Sequence, residues 1–404
     1  MSYIYLAKWI LLPSFEILTN GAIVIDGDKI KEVGLRSKIS KKKDDIIINL
    51  NDTFLLPGLI NLHTHLEENA IRDIPKKDFE SFASWLSKRS TKLKHTQKSQ
   101  IENAYRLGIK ESLSNGITSI GDFSKTDISL QIAKKEPART FIFKEIYPET
   151  LEEEASLINN LDNLLSQDIK GICPFTIYSL SYDLHRALID FCKKNNLIWS
   201  CHLAESSEEI QAFYEQCGDL FFFLTRKKPW PFTKSQKGPI EFALSNNLIP
   251  EKSILLHCNY ITGRELEGIA NLNSSIVLCF QYSKEMNHKP FPMELALSKK
   301  ILICAATESL SCDRSINLFD ELFCAKKENP NIPSSEMLKW ITINPAKALG
   351  MENLLGSIEE GKFADIIGLK FPQNPSNFLL DEVIFGQPEV TFILINGKVI
   401  MANY

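Results

Sequence analysis

Leu55-Leu56-Pro57-Gly58-Leu59-Ile60-Asn61-Leu62-His63-Thr64-His65 is an apolar run that closes on two histidines one residue apart. A short continuous apolar run followed by polar, helix-like sequence is how a parallel strand buried on both faces reads. Residues i and i+2 of a strand point to the same side, so both imidazoles would face one space beyond the strand's C-terminal end. Seven further runs have the same character: 117–122, 140–146, 171–178, 197–202, 253–257, 275–280 and 301–306. Between them, stretches such as 101–113 and 206–214 space their apolar residues as a helix does. Eight β-then-α units predict a (β/α)8 TIM barrel. A doubly wound open sheet is the alternative, but no glycine-rich phosphate loop follows the first strand.

The ends of the chain read differently. Residues 22–34 hold an apolar run, an Asp26-Gly27-Asp28 turn and an alternating strand, which is a hairpin signal, and residues 390–400 repeat the style. The expected organisation is therefore a barrel over 53–352 and a small β-sandwich assembled from 1–52 and 353–404. At 404 residues and 44% apolar composition the chain can bury a core of that size. A net charge of −4 points to neither nucleic acid nor a membrane surface as partner. No apolar run is long enough to span a bilayer. The N-terminus has no basic lead and carries Lys8 inside its apolar run, and none of the nine cysteines stands in a C-x-x-C pair. Reduced thiols and a cytoplasmic location are expected, with a small-molecule substrate as partner and a homodimer as the candidate assembly.

Active sites of TIM barrels lie at the C-terminal ends of the strands. Strand one ends in His63 and His65, strand five in His202 with Glu205 three residues on, strand six in His257, and strand eight in Thr307-Glu308-Ser309. Four of the seven histidines thus converge on one rim with a carboxylate. Neutral imidazoles plus one carboxylate suit a divalent metal ion, zinc or iron. Such an ion acidifies water from a pKa near 15.7 towards roughly 7, and a nearby carboxylate such as Glu205 can carry a proton to a leaving group.

These residues resemble the amidohydrolase superfamily, in particular its cytosine deaminase/chlorohydrolase branch. That branch includes deaminases of adenine nucleosides (methylthioadenosine, adenosylhomocysteine, aminofutalosine), guanine deaminases and triazine hydrolases. Leu56–His65 is similar to the entry motif, Gly116–Phe123 to the second strand, His202-Leu203-Ala204-Glu205-Ser206 to the third metal histidine with its proton-shuttling Glu, and Leu256-His257-Cys258-Asn259-Tyr260 to the catalytic histidine. Asn344–Gly350 and Gly356–Ile366 are similar to the closing signature. The resemblance implies that His63, His65, His202 and Glu308 hold the metal, and that Glu205, His257 and Glu308 do the chemistry. Trp85 would sit on a lid facing substrate. Glu67, Phe175, Tyr178, Gln281 and Ser309 are the further candidate substrate contacts.

Three strand ends depart from the family pattern. Glu308 stands where relatives carry Asp, and its extra methylene moves the carboxylate out by about 1.5 Å. Cys279-Phe280-Gln281-Tyr282-Ser283 replaces Cys-Pro-Arg-Ser/Thr, so an arginine is gone. Cys173-Pro174-Phe175-Thr176-Ile177-Tyr178 puts Phe175 where relatives often have a hydrogen-bonding His. Two readings follow. The first is a metal-dependent hydrolase that deaminates an amino-substituted heterocycle, an adenine-type nucleoside first, with guanine or a chlorinated triazine next. The second is a weak or inactive relative that keeps the fold for binding or assembly.

Overall fold

The computed structural model describes all residues except 1, 73–80, 167, 227, 235, 312–314, 373–377 and 404. Strands from both ends of the chain build one mixed sheet. They are β1 (Tyr3–Leu11), β2 (Ile17–Asp26), β3 (Lys29–Leu35), β4 (Ile46–Asn49) and β5 (Phe54–Pro57). Eight barrel strands follow: β6 (Leu59–Thr64), β7 (Ile117–Ser124), β8 (Arg139–Ile146), β9 (Gly171–Pro174), β10 (Ile198–Leu203), β11 (Ile254–His257), β12 (Ser275–Leu278) and β13 (Leu302–Ala305). The chain then returns to the first sheet with β14 (Ile366–Lys370), β15 (Glu389–Ile395) and β16 (Lys398–Ala402).

The mixed sheet runs β16-β15-β14-β5-β1-β2-β3. It branches at β1, whose first half pairs with β4 and whose second half pairs with β5. The expected small sandwich is thus one branched sheet, with Tyr5, Ile23, Ile25, Leu55, Ile366, Phe392 and Leu394 packed together as its core. Both predicted hairpins form. Gly27 turns β2 into β3 at φ 62°, and Asn396-Gly397 turn β15 into β16 at φ 50° and 70°. Positive φ at the first central residue, or at both as in Asn396-Gly397, is what the favoured two-residue hairpin loops require.

The barrel strands are all parallel, in chain order from β6 to β13. Each expected run holds one strand, with one revision. The run 55–65 is two strands in two sheets. β5 pairs with β1 and β14 in the terminal sheet, and β6 pairs with β7 in the barrel. The chain changes sheets at Pro57-Gly58, where Gly58 N–H donates to the Asp365 carbonyl (2.8 Å). A Cβ at Gly58 would lie 2.1 Å from Thr118 Oγ1 and 2.6 Å from its Cγ2. Thr118 is fully buried and β-branched, so it has little room to turn. Gly58→Ala is therefore expected to destabilise the fold by about 1–3 kcal/mol, the usual range for overpacking, measured by denaturant unfolding; an unchanged midpoint would show that β7 yields at this point.

Side chains close the ring. Asn61 Nδ2 donates to Thr307 Oγ1 (2.8 Å), and Thr307 N–H donates back to Asn61 Oδ1 (3.1 Å). His65 N–H donates to the Glu308 carbonyl (3.3 Å). The seam between first and last strand thus places the His-Thr-His end beside Glu308. Helices cover the outside; Tyr182–Asn195 turns Leu184, Leu188, Ile189 and Phe191 inward, as its apolar spacing dictates. Among the described residues no helix is long and apolar enough to cross a membrane.

Candidate active site

The strand ends bring the expected histidines together. Ligand atoms of His63, His202, His257 and Glu308 all lie within 4.8 Å of one another, and those of His65, Glu145 and His202 form a second such group. His65 joins the first group at one remove: its Nε2 is 3.6 Å from Glu308 Oε1, while His63 Nε2 is 2.6 Å from Glu308 Oε2. That short approach lacks hydrogen-bond alignment, and His63 Nδ1 and Nε2, His65 Nε2 and both His257 nitrogens are buried without a hydrogen-bond partner.

Second contacts fix the tautomers. His65 Nδ1 donates to the Phe123 carbonyl and His202 Nδ1 to the Phe175 carbonyl, each at 2.9 Å. A carbonyl can only accept, so in both neutral rings Nε2 keeps its lone pair. Burial pushes His63 and His257 down to about 3, and His65 and His202 well below their usual value, so all four rings are uncharged near neutrality. Burial pushes Glu308 up to about 8, a carboxyl that needs a cation to be held ionised. Neutral imidazoles with fixed lone pairs, orphaned nitrogens and one carboxylate at a single point are the donor set a divalent ion requires; these residues fit one.

Glu205 stands beside that cluster. Its backbone follows Ala204, held at φ +49°, and is gripped from two sides: Glu209 accepts from the N–H groups of Ala204, Glu205 and Ser206, and Asn259 Nδ2 donates to the Glu205 carbonyl (3.0 Å). His257 and Cys258 also take positive φ, 69° and 53°. Left-handed backbone in non-glycine residues is uncommon and persists only where the surroundings enforce it. Here it turns the end of β11 so that His257 Nε2 lies 3.8 Å from Glu205 Oε2. The other oxygen, Oε1, accepts from the Tyr282 hydroxyl. Burial raises the Glu205 pKa, with the nearby His288 and the Tyr282 bond working against it.

The remaining sequence candidates are placed as follows. Trp85 is buried on the helix Phe82–His95, 5.9 Å ring to ring from Tyr282, so it roofs the His257 side. Phe175 packs 5.3 Å from the His202 ring. Tyr178 stacks on Trp230 at 5.5 Å, one layer further out. Glu67 accepts from Ser124 (2.7 Å) and Thr126 and braces the loop after β7. Gln281 Nε2 donates to Glu321 Oε1 (3.0 Å), and Ser309 Oγ meets Ser311 Oγ at 2.5 Å. Sequence reasoning missed Tyr282, Glu145 and the buried pair Arg89–Glu68, joined through Arg89 Nε at 2.5 Å. Glu145 was findable, because it is the polar residue next to the end of the third predicted run, 140–146. Tyr282 lies in the altered strand-seven motif, whose change had been noticed only as a lost arginine.

Residues 54–400 match the amidohydrolase family. The chain belongs to that family. This amidohydrolase is 24% identical over 405 residues to a 5-methylthioadenosine/S-adenosylhomocysteine deaminase of Clostridium tetani, covering 96% of this chain and 90% of the relative. It superposes on an adenosine deaminase from Xanthomonas campestris with bound zinc (TM-score 0.86, 17% identity, 99% and 93% of the two chains). It also superposes on Helicobacter pylori aminofutalosine deaminase in complex with methylthio-coformycin (TM-score 0.85, 21% identity, 99% and 100%). Family membership makes the chain a metal-dependent hydrolase acting on carbon–nitrogen bonds.

Within that class, Tyr282→Phe is expected to lower kcat about tenfold and leave KM near its wild-type value, because it removes one hydrogen bond to Glu205 and keeps the ring; steady-state kinetics would show it. A raised KM at constant kcat would instead assign Tyr282 to substrate binding.

Proposed function

We propose that this amidohydrolase catalyses hydrolytic deamination of an amino-substituted heterocycle, an adenine-type nucleoside first. Water adds to the ring carbon that bears the amino group, ammonia leaves, and one proton of the water ends on the departing nitrogen. His63, His65, His202 and Glu308 would hold a divalent ion, zinc before iron. When bound, that ion supplies the acidification of water that makes attack feasible at neutral pH.

The observation that carries the reading is the Glu205 carboxyl. It is buried, its proton affinity is raised, and it is oriented by Tyr282 at one oxygen while the other faces His257. A carboxyl whose proton affinity burial raises is better suited to take up a proton and pass it to a leaving amine. His257, uncharged and 3.8 Å away, can orient the attacked group or the incoming water without competing for that proton. Trp85 and Tyr282 cover this side and keep bulk water out. The names of the relatives, deaminases of adenine nucleosides, agree with this chemistry.

The test is bound-metal analysis of the purified protein with ammonia release measured on adenine-type nucleosides, free bases and guanine. Ammonia from a nucleoside, lost on chelation and restored by zinc, is expected. Metal present with no ammonia from any of these amines would defeat the reading.

A further inference from the structure

Glu145 is the last polar residue of β8, the third strand of the barrel. Phe143, two residues earlier and so on the same face, stacks on Phe123 (4.6 Å), which meets the His63 ring edge-on (4.6 Å). Glu145 therefore points into the barrel mouth, where its ligand atom and those of His65 and His202 all lie within 4.8 Å of one another. Its side chain is fully buried, and neither carboxylate oxygen accepts a hydrogen bond. Buried carboxylates without donors are rare in folded proteins, and each calls for an explanation.

Lys125 does not supply one. Its Nζ lies 3.5 Å from Glu145 Oε2, and its side chain is 37% exposed, so water can solvate it without the carboxylate. Arg89 is committed to Glu68 through Nε (2.5 Å). A sealed carboxylate beside two imidazole lone pairs is an arrangement that a cation stabilises. His202 belongs to both groups of ligand atoms, and His65 Nε2 reaches Glu308 as well (3.6 Å). Because Nδ1 of each ring donates to a carbonyl, each has one lone pair, on Nε2, and one lone pair serves one ion. The two groups are then two sides of a single site.

We propose that Glu145 is a ligand of the divalent ion, a second carboxylate beside Glu308. The inference rests on the proposed set of His63, His65, His202 and Glu308 and adds a fifth residue to it; it is independent of which amine is hydrolysed. Glu145 and Glu308 together match the charge of a dication, so neither carboxylate is left sealed without a cation. A second oxygen donor also narrows the preference for zinc over harder ions such as manganese, which favour carboxylates.

The experiment titrates the chelator-treated chain and its Glu145→Gln variant with zinc and with manganese, and solves the crystal structure of the zinc-loaded native chain. One ion per chain is expected, with a Glu145 oxygen within about 2.0–2.2 Å of it. Glutamine keeps the size and loses the charge. Zinc affinity should therefore fall about 10-fold and manganese affinity about 100-fold, the span usual for a lost metal-site partner, with the harder ion losing more. Without metal, the variant should melt no lower than the native chain, because it no longer buries an unpaired charge. A zinc ion on the histidines with Glu145 outside that range overturns the proposal and leaves the four-residue set standing. Equal weakening of both metals also overturns it, as the mark of a purely structural role, and two ions per chain would overturn the single site. A native chain that takes up no ion sinks the metal set itself and this inference with it. The crystal structure needs no variant, so a folding defect in Glu145→Gln does not shield the proposal.

Discussion

Glu205→Gln is expected to keep the fold and the metal and to lose about 10²–10⁴-fold in kcat, the share usually supplied by a positioned acid–base group. Glutamine fits the same space but carries no exchangeable carboxyl proton. The backbone contacts from Glu209 and Asn259 do not involve the lost group, so the residue stays where it is. The Tyr282 hydroxyl can still donate to the amide oxygen. Only the carboxylate oxygen facing His257 is replaced, by an amide nitrogen. Ammonia release and metal content measured on the same preparation separate the effects. Turnover within a few-fold of the native chain would remove Glu205 from the proton path.

Glu308→Asp is expected to lower both metal affinity and kcat, the latter by about 100-fold. Family relatives carry Asp at this point, so a gain would be the naive expectation. The geometry argues the reverse. The Glu308 carbonyl is pinned by His65 N–H, Thr307 is held by Asn61, and the glutamate as it stands reaches His63 at 2.6 Å. With the strand end fixed in this way, shortening the side chain withdraws the carboxylate by about 1.5 Å, and displacement by about 1 Å can cost 10²-fold. Metal titration of both variants, read beside kcat, decides it; higher affinity and faster turnover in the Asp variant would show that Glu308 is a poor fit to its own site.

The barrel was legible because a parallel strand buried on both faces leaves a continuous apolar run, and the polar residue closing such a run marks the catalytic rim. His63, His65, His202, His257 and Glu308 could be placed from that rule alone. The sheet change at Pro57-Gly58 could not, since β5 and β6 are equally buried and periodicity does not register which sheet a strand joins. Nor was the grouping of the ligand atoms legible. His65 and His202 form their second group with Glu145 because β8 lies between the first and fifth strands on the rim, a relation that exists only in the closed ring. Tyr282 meets Glu205 across 77 residues of chain, and its role depends on a hydroxyl that pattern reading treats as part of an aromatic side chain. The fourth run, 171–178, held a shorter strand than expected: β9 stops at Pro174, and Ile177–Ser179 is a single 3₁₀ turn.

The Asp365 carbonyl receives the Gly58 N–H at the root of β6, and its carboxylate receives the Arg139 guanidinium (3.2 Å) at the root of β8. The far ends of those two strands carry His63, His65 and Glu145. Asp365 is in turn held by Asn396 N–H (2.8 Å), in the last hairpin of the chain. The C-terminal segment therefore acts as a clasp on the opposite pole of the barrel. Trimming or crowding it, as a bulky C-terminal fusion would, should be felt first as weakened grip on the metal, some six residues of strand away from any residue that was touched.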